Sequence, residues 1–241
     1  MPIKLIVFDI AGTTVKDDNN VSEAFQSALS KFEAQVELGN INPLMGYEKK
    51  HAIAEILTSH SSLQISQITN ELINNIYNEF VRQMIFHYQH ADGVTALPDV
   101  EQTMLELKKQ HIKIGINTGF PHVIAETIVK RLKWREKGLI DYLIGSDQVE
   151  FGRPQPLMIR HIMEVLNIQD PNEVAKVGDT EVDIREGKAA HCKYVIGVTT
   201  GTFTRQELEK YKPTHIIDNI SEILGILEGE GVGEFKVESR E

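Results

Sequence analysis

The sequence predicts an α/β fold: a doubly wound parallel sheet carrying one inserted block of α-helices. Three observations lead there. Short, wholly apolar runs ending in Gly, Thr or Asp recur along the chain, the pattern of strands buried on both faces. Stretches with apolar residues at spacings of three and four lie between them, as amphipathic helices require. From about residue 17 to residue 90 the alternation stops, and helical periodicity continues without a strand-like run.

The first apolar run is "KLIVFDI", residues 4–10. The pattern returns in "IKIGINT" (112–118), "YLIGS" (142–146), "VAKVGD" (174–179) and "YVIGVTTG" (194–201). Helices are expected in "DVEQTMLELKKQ" from Asp99 and "PLMIRHIMEVLN" from Pro156. Within the insertion, "SEAFQSALSKFEAQ", "KKHAIAEILT" and "TNELINNIYNEFVRQMIFHYQ" read as helices. Turn-forming residues cluster in "KDDNN" and "HADGVTALP", which therefore read as joins and as hinges. The expected division is a core of residues 1–16 and 95–228, a helical cap of 17–94, and a disordered, Gly-rich and charged tail of 229–241.

Composition narrows the function. With 41 % hydrophobic residues in 241, the chain can bury a sizeable core. A net charge of −10 argues against a nucleic-acid or anionic-membrane partner, which clustered Lys and Arg would hold. The single cysteine, Cys192, excludes an intrachain disulfide, and the start does not read as a signal peptide, so a reducing cytoplasm is expected. Cys192 itself reads as a small buried hydrophobe, and Trp134 as a packing residue or a cap contact.

In an open parallel sheet, ligands bind beyond the carboxyl ends of the strands. Those ends carry Asp9, Thr118 and Asp179, with Asp183 four residues further on and Arg153 in a loop. Carboxylates without a His or Cys partner favour Mg²⁺ over zinc. The expected metal ligands are Asp9, Asp179, Asp183 and the backbone carbonyl of Ala11. "DIAGTT" offers Gly12 for a tight turn and successive N–H groups, that of Thr13 among them, for a phosphoryl oxygen. Thr118, Gly119 and Arg153 would hold the other oxygens, and Asp9 would be the nucleophile. Taken singly, each has a plain structural reading, such as a helix cap for Asp9. Two residues after Asp9, where a second carboxylate would serve proton transfer, the chain has Ala11.

In order, "DIAGTT", "NTG", "GRPQP" and "GDTEVD" resemble the four motifs of the haloacid dehalogenase superfamily. The resemblance implies a Rossmann-like core, a mobile helical cap after the first motif, Mg²⁺, and an aspartyl-phosphate intermediate on Asp9. Phosphatases of that superfamily usually carry an acid where Ala11 stands. Ala followed by Gly-Thr-Thr, with Arg-Pro in the third motif, looks like the phosphonatase branch. A carbon–phosphorus bond has no ester oxygen to protonate, so a nearby acid loses its main duty. That branch uses a cap lysine that forms an imine with an aldehyde substrate.

"PLMGYEKKHAI" (43–53) resembles the branch's cap loop, which places Lys49 on the imine-forming lysine and Met45 on a neighbouring methionine. Lys50 is adjacent, and Lys50 and Arg153 are expected to depress the Lys49 pKa. The alternative for Lys49 is simple binding of a substrate anion. The chain departs from the branch at Ala52, where a His is usual, and at Phe120, where an aromatic hydroxyl is usual. The expected activity is Mg²⁺-dependent cleavage of the carbon–phosphorus bond of phosphonoacetaldehyde or a close analogue. The alternatives are a phosphomonoesterase acting on a small metabolite and a catalytically silent scaffold. The resemblance also implies a homodimer through the cap.

Overall fold

The computed structural model describes residues 2–228; the expected tail lies outside the described residues. The chain runs β1 (Leu5–Phe8), then α1 (Asn20–Ser30), α2 (Leu38–Ile41), α3 (Lys49–His60) and α4 (Asn70–His90). It continues through α5 (Val100–Lys109), β2 (Lys113–Thr118), α6 (His122–Leu132), β3 (Tyr142–Gly145), α7 (Leu157–Val165) and β4 (Val174–Gly178). The last elements are α8 (Glu181–Ala189), β5 (Tyr194–Val198), α9 (Arg205–Lys210), β6 (His215–Ile217) and α10 (Glu222–Glu228).

The six strands form one parallel sheet in the order β3-β2-β1-β4-β5-β6. Leu5 is in register with Lys113 on one side and Val174 on the other, which puts β1 at the centre. Along β1, Leu5 and Val7 pack with Ile159 and Ile162 of α7, while Ile6 and Phe8 pack with Met104 and Leu107 of α5. Both faces are covered, so the strand is apolar at every position. The winding reverses between β1 and β4, and the crevice beyond their carboxyl ends is where such sheets bind ligands.

The segment between β1 and α5 contains helices and no named strand. Helix α4 begins at Thr69, whose hydroxyl accepts the Leu72 amide at 3.1 Å. Phe25 of α1 meets Phe80 of α4 with ring centroids 4.4 Å apart. The two joins run side by side: Lys16 N donates to Thr95 O at 3.1 Å and Leu97 N to Thr14 O at 3.0 Å.

One sequence reading needs correction. The strand β6 was not expected, because three residues at a sheet edge leave too short an apolar run to register. Trp134 is a packing residue: it is fully buried and donates its indole N–H to Glu101 at 2.8 Å.

Candidate active site

Asp9 follows β1 and Asp179 follows β4, so the sheet itself delivers both acids to the switch point. Gly12 has φ +79°, and a Cβ there would lie 2.7 Å from Asp179 Oδ2 and 2.8 Å from Gly201 Cα. Only glycine lets this turn close over the second acid. Thr13 and Thr202 fix that acid: the Thr13 hydroxyl donates to Asp179 Oδ1 at 2.9 Å and the Thr202 amide to Oδ2 at 2.7 Å. Thr13 is thus bound to Asp179 through its side chain.

Asp183, on the first turn of α8, completes an acidic triad. One carboxylate oxygen from each of Asp9, Asp179 and Asp183 lies within 4.8 Å of the others. All three are buried, and their charges repel. Burial, then repulsion from Asp9 and Asp183, pushes the Asp179 carboxyl up to about 8. Burial likewise raises Asp9, against the pull of Arg153. A hard divalent cation with oxygen ligands fits this donor set and would relieve the repulsion. Asp183 is the most engaged of the three, since its Oδ1 also meets Lys176 Nζ at 2.9 Å and Arg153 Nη1 at 3.1 Å.

Arg153 lies behind Asp9. Its Nη2 meets Asp9 Oδ1 at 2.7 Å and donates to the Asn117 backbone and side-chain oxygens at 2.7 and 2.8 Å. Its Nε pairs with Glu186 at 3.2 Å, and Glu186 in turn accepts both Asn117 Nδ2 contacts at 2.8 and 2.9 Å. Lys176 Nζ adds a bond to Asn117 Oδ1 at 2.7 Å. Sequence reasoning missed Asn117, Lys176 and Glu186. The one available signal was a lysine inside the apolar run "VAKVGD".

From the helical insertion, Lys49 enters at the start of α3, whose first amides are capped by Glu48. Lys49 is 3 % exposed, and its Nζ lies 5.1 Å from the Phe120 ring centroid and 5.5 Å from that of Phe25. Desolvation lowers its pKa to about 8, with Asp9 opposing and Arg153 adding to the fall. Lys50 plays no part in that shift: it is exposed and lies 4.9 Å from the Tyr77 ring centroid. Phe120, lacking a hydroxyl, packs against Phe80 and Tyr88.

These groups share one cavity of about 20 Å³, lined by Asp9, Ala11, Asp17, Met45, Lys49, Thr118, Gly119 and Asp179 among others. It has room for about one water molecule. Thr118 Oγ1 accepts the Phe120 amide at 3.2 Å, which leaves its hydroxyl hydrogen to donate. Gly119 is where the loop 43–48 lies closest to the core: a Cβ would fall 2.3 Å from Gly46 O and 2.4 Å from Tyr47 O. Tyr47 fastens that loop by donating its hydroxyl to Glu181 at 2.6 Å.

Buried carboxylates gathered at the switch point of a parallel sheet, with a helical insertion beside them, are the setting of a hydrolase site. The comparisons agree: residues 6–197 match the haloacid dehalogenase-like hydrolase family, and the chain belongs to it. It is therefore a hydrolase. A protein of Latilactobacillus sakei subsp. sakei (strain 23K) named phosphonoacetaldehyde hydrolase is 33 % identical over 200 residues, 78 % of this chain and 72 % of that one. Pyrophosphatase PpaX of Bacillus mycoides (strain KBAB4) is 28 % identical over 228 residues, 94 % of this chain and 98 % of that one. The crystal structure of a phosphonoacetaldehyde hydrolase-like protein from Oleispira antarctica superposes with a TM-score of 0.81 at 21 % identity, over 95 % of this chain and 92 % of that one. No helix among the described residues is long and apolar enough to cross a membrane.

Proposed function

We propose that the protein hydrolyses the carbon–phosphorus bond of phosphonoacetaldehyde or a close analogue. The observation that carries this reading is Lys49: a buried amine, among the described residues without an ion-pair partner, facing the cavity that Asp9 lines. A surface anion-binding lysine would stay fully charged, whereas desolvation here brings the neutral amine within reach of ordinary pH. The name of the Latilactobacillus sakei relative supports the same substrate.

In this reading Lys49 condenses with the aldehyde to give an imine, and Asp9 attacks phosphorus. The electron pair of the breaking carbon–phosphorus bond passes toward the imine nitrogen, leaving an enamine that takes a proton from solvent. Water then hydrolyses the aspartyl phosphate. Arg153 orients Asp9, Thr118 and the loop at Gly119 bind phosphonate oxygens, Met45 packs beside the imine, and Thr13 holds Asp179. Asp9, Asp179 and the Ala11 carbonyl would hold Mg²⁺, with Asp183 supporting. The cation supplies charge neutralisation at the phosphonate oxygens.

The reading also takes residues 17–94 as a cap on a core of 1–16 and 95–228, opening on the paired joins to admit substrate. A homodimer through the cap and a cytoplasmic location belong to the same proposal.

A second reading is phosphate-ester or anhydride hydrolysis, favoured by the name of the Bacillus mycoides relative. Ala11 weighs against it, because the missing acid is worth roughly 10² to 10⁴ in rate. Phosphate release from phosphonoacetaldehyde and from a panel of phosphate esters and pyrophosphate, with wild type and Lys49→Arg, separates the two. Carbon–phosphorus hydrolysis predicts release from the aldehyde that Lys49→Arg abolishes; ester hydrolysis unchanged in Lys49→Arg contradicts it.

A further inference from the structure

Imine formation needs an acid that none of the assigned residues supplies. Amine attack on an aldehyde gives a carbinolamine, and its hydroxyl leaves as water only after it receives a proton. Three carboxylates line the cavity: Asp9, Asp179 and Asp17. The first two belong to the nucleophile and the metal site. Asp17 belongs to neither.

Asp17 sits on the first join, just before α1, and is partly buried. Its Oδ1 accepts the Val21 amide at 3.3 Å, which anchors one oxygen while the residue lines the cavity beside Lys49. The charged and titratable groups facing it come from the packed elements: Lys49 from α3, and His87 and Tyr88 from α4. Tyr88 is 2 % exposed, lies edge-on to Phe120 with centroids 6.1 Å apart, and is close enough to feel the Asp17 charge. The place is thus partly dry, next to the reacting amine, and reached from the hinge.

We propose that Asp17 is the general acid for imine formation at Lys49, an assignment that rests on the carbon–phosphorus reading above. Lys49 Nζ bonds to the aldehyde carbon, and the ammonium proton moves to the alkoxide. Asp17 then gives its proton to the carbinolamine hydroxyl; the carbon–oxygen bond breaks, water departs, and the nitrogen keeps its remaining proton as an iminium. On hydrolysis of the product iminium, the Asp17 carboxylate takes a proton from the attacking water and regains its acid form. Burial raises the Asp17 carboxyl above its ordinary value, against the Val21 and Asn20 amides first and the charges of Lys49 and His87 after them, which favours the acid form this step needs.

The test is the rate of adduct formation. Wild type and Asp17→Asn are mixed with phosphonoacetaldehyde, quenched at intervals with borohydride, and the adduct on Lys49 is quantified by mass spectrometry. Asparagine keeps an oxygen for the Val21 amide, so the join stays intact. The proposal predicts adduct formation slower by roughly 10² to 10⁴ in Asp17→Asn, restored in part by added formate and by Asp17→Glu. It further predicts that Asp17→Asn keeps gaining rate with pH until the Lys49 amine is neutral, whereas wild type, which also needs the Asp17 acid form, flattens and then falls at high pH. Equal rates in the two proteins, or a slow variant that neither formate nor glutamate restores, overturn the role of Asp17 and leave Lys49 standing. No adduct on wild type overturns both.

Discussion

The Nζ of Lys49 lies 5.1 Å from the centroid of the Phe120 ring, a cation-bearing group held against an aromatic face rather than against a carboxylate. Phe120 follows β2 and Lys49 opens α3 of the helical insertion, so this contact joins the insertion to the sheet edge.

The Lys49 amine titrates at about 8, lowered first by desolvation. Only the neutral amine attacks an aldehyde, so in Asp17→Asn, where no acid form is lost with pH, adduct formation at Lys49 rises as pH increases through 8, as a pH profile of borohydride trapping with phosphonoacetaldehyde will show. The stability sign is opposite in origin. The folded-state pKa lies below the ordinary 10.5, so the unfolded chain binds more protons between the two values and stability increases with pH across that window. At pH 7 the charged amine costs on the order of 3 kcal/mol. Lys49→Met is expected to raise the urea midpoint while abolishing imine chemistry.

Contact between Gly119 and the loop 43–48 makes closure a steric matter. Gly119→Ala places a methyl group against Gly46 O and Tyr47 O, so the loop must stand off the core. Because a displacement of about 1 Å at a reacting centre costs about 10²-fold, turnover should fall by that much with the circular dichroism spectrum unchanged. Tyr47→Phe removes the 2.6 Å bond to Glu181, worth about 1 kcal/mol. Faster amide exchange at residues 43–48 and a KM several-fold higher are the expected readouts.

Near Asp9 and Arg153, Lys176 is fully buried and touches Asn117 and Asp183. Lys176→Met leaves Asp183 and Glu186 with Arg153 as their cationic partner. Breaking a buried pair from one side costs about 3–5 kcal/mol. Urea denaturation should show a loss of that size.

The triad of Asp9, Asp179 and Asp183 predicts that chelation stops phosphate release and that added Mg²⁺ restores it. Mg²⁺ should also raise the melting temperature, because it binds only where the three acids are assembled. Asp179→Asn should reduce both effects together.

Much of this was legible in the sequence because chemistry and fold share one signal. An apolar run that ends in Asp9 or in Asp179 announces both a buried strand and the residue at its end, and three further described strands showed as apolar runs without an acid at the end. Strand β6 did not, since His215–Ile217 lies at an edge with little apolar pattern. The layer of Asn117, Lys176 and Glu186 stayed hidden because long-range charge pairing leaves no periodic trace. Tyr47 and Glu181 are 134 residues apart, and nothing local marks them as partners. The cap-loop pattern singled out Lys49 over its neighbour, and helix phase follows suit: Lys49 is buried while Lys50 is exposed.

Imine formation by Lys49 is open to direct trapping: borohydride reduction of the wild-type protein with phosphonoacetaldehyde and Mg²⁺, followed by peptide mass spectrometry, reads it out. The expected result is the reduced two-carbon fragment on Lys49 together with release of phosphate. Phosphate released from esters with Lys49 unmodified would contradict it.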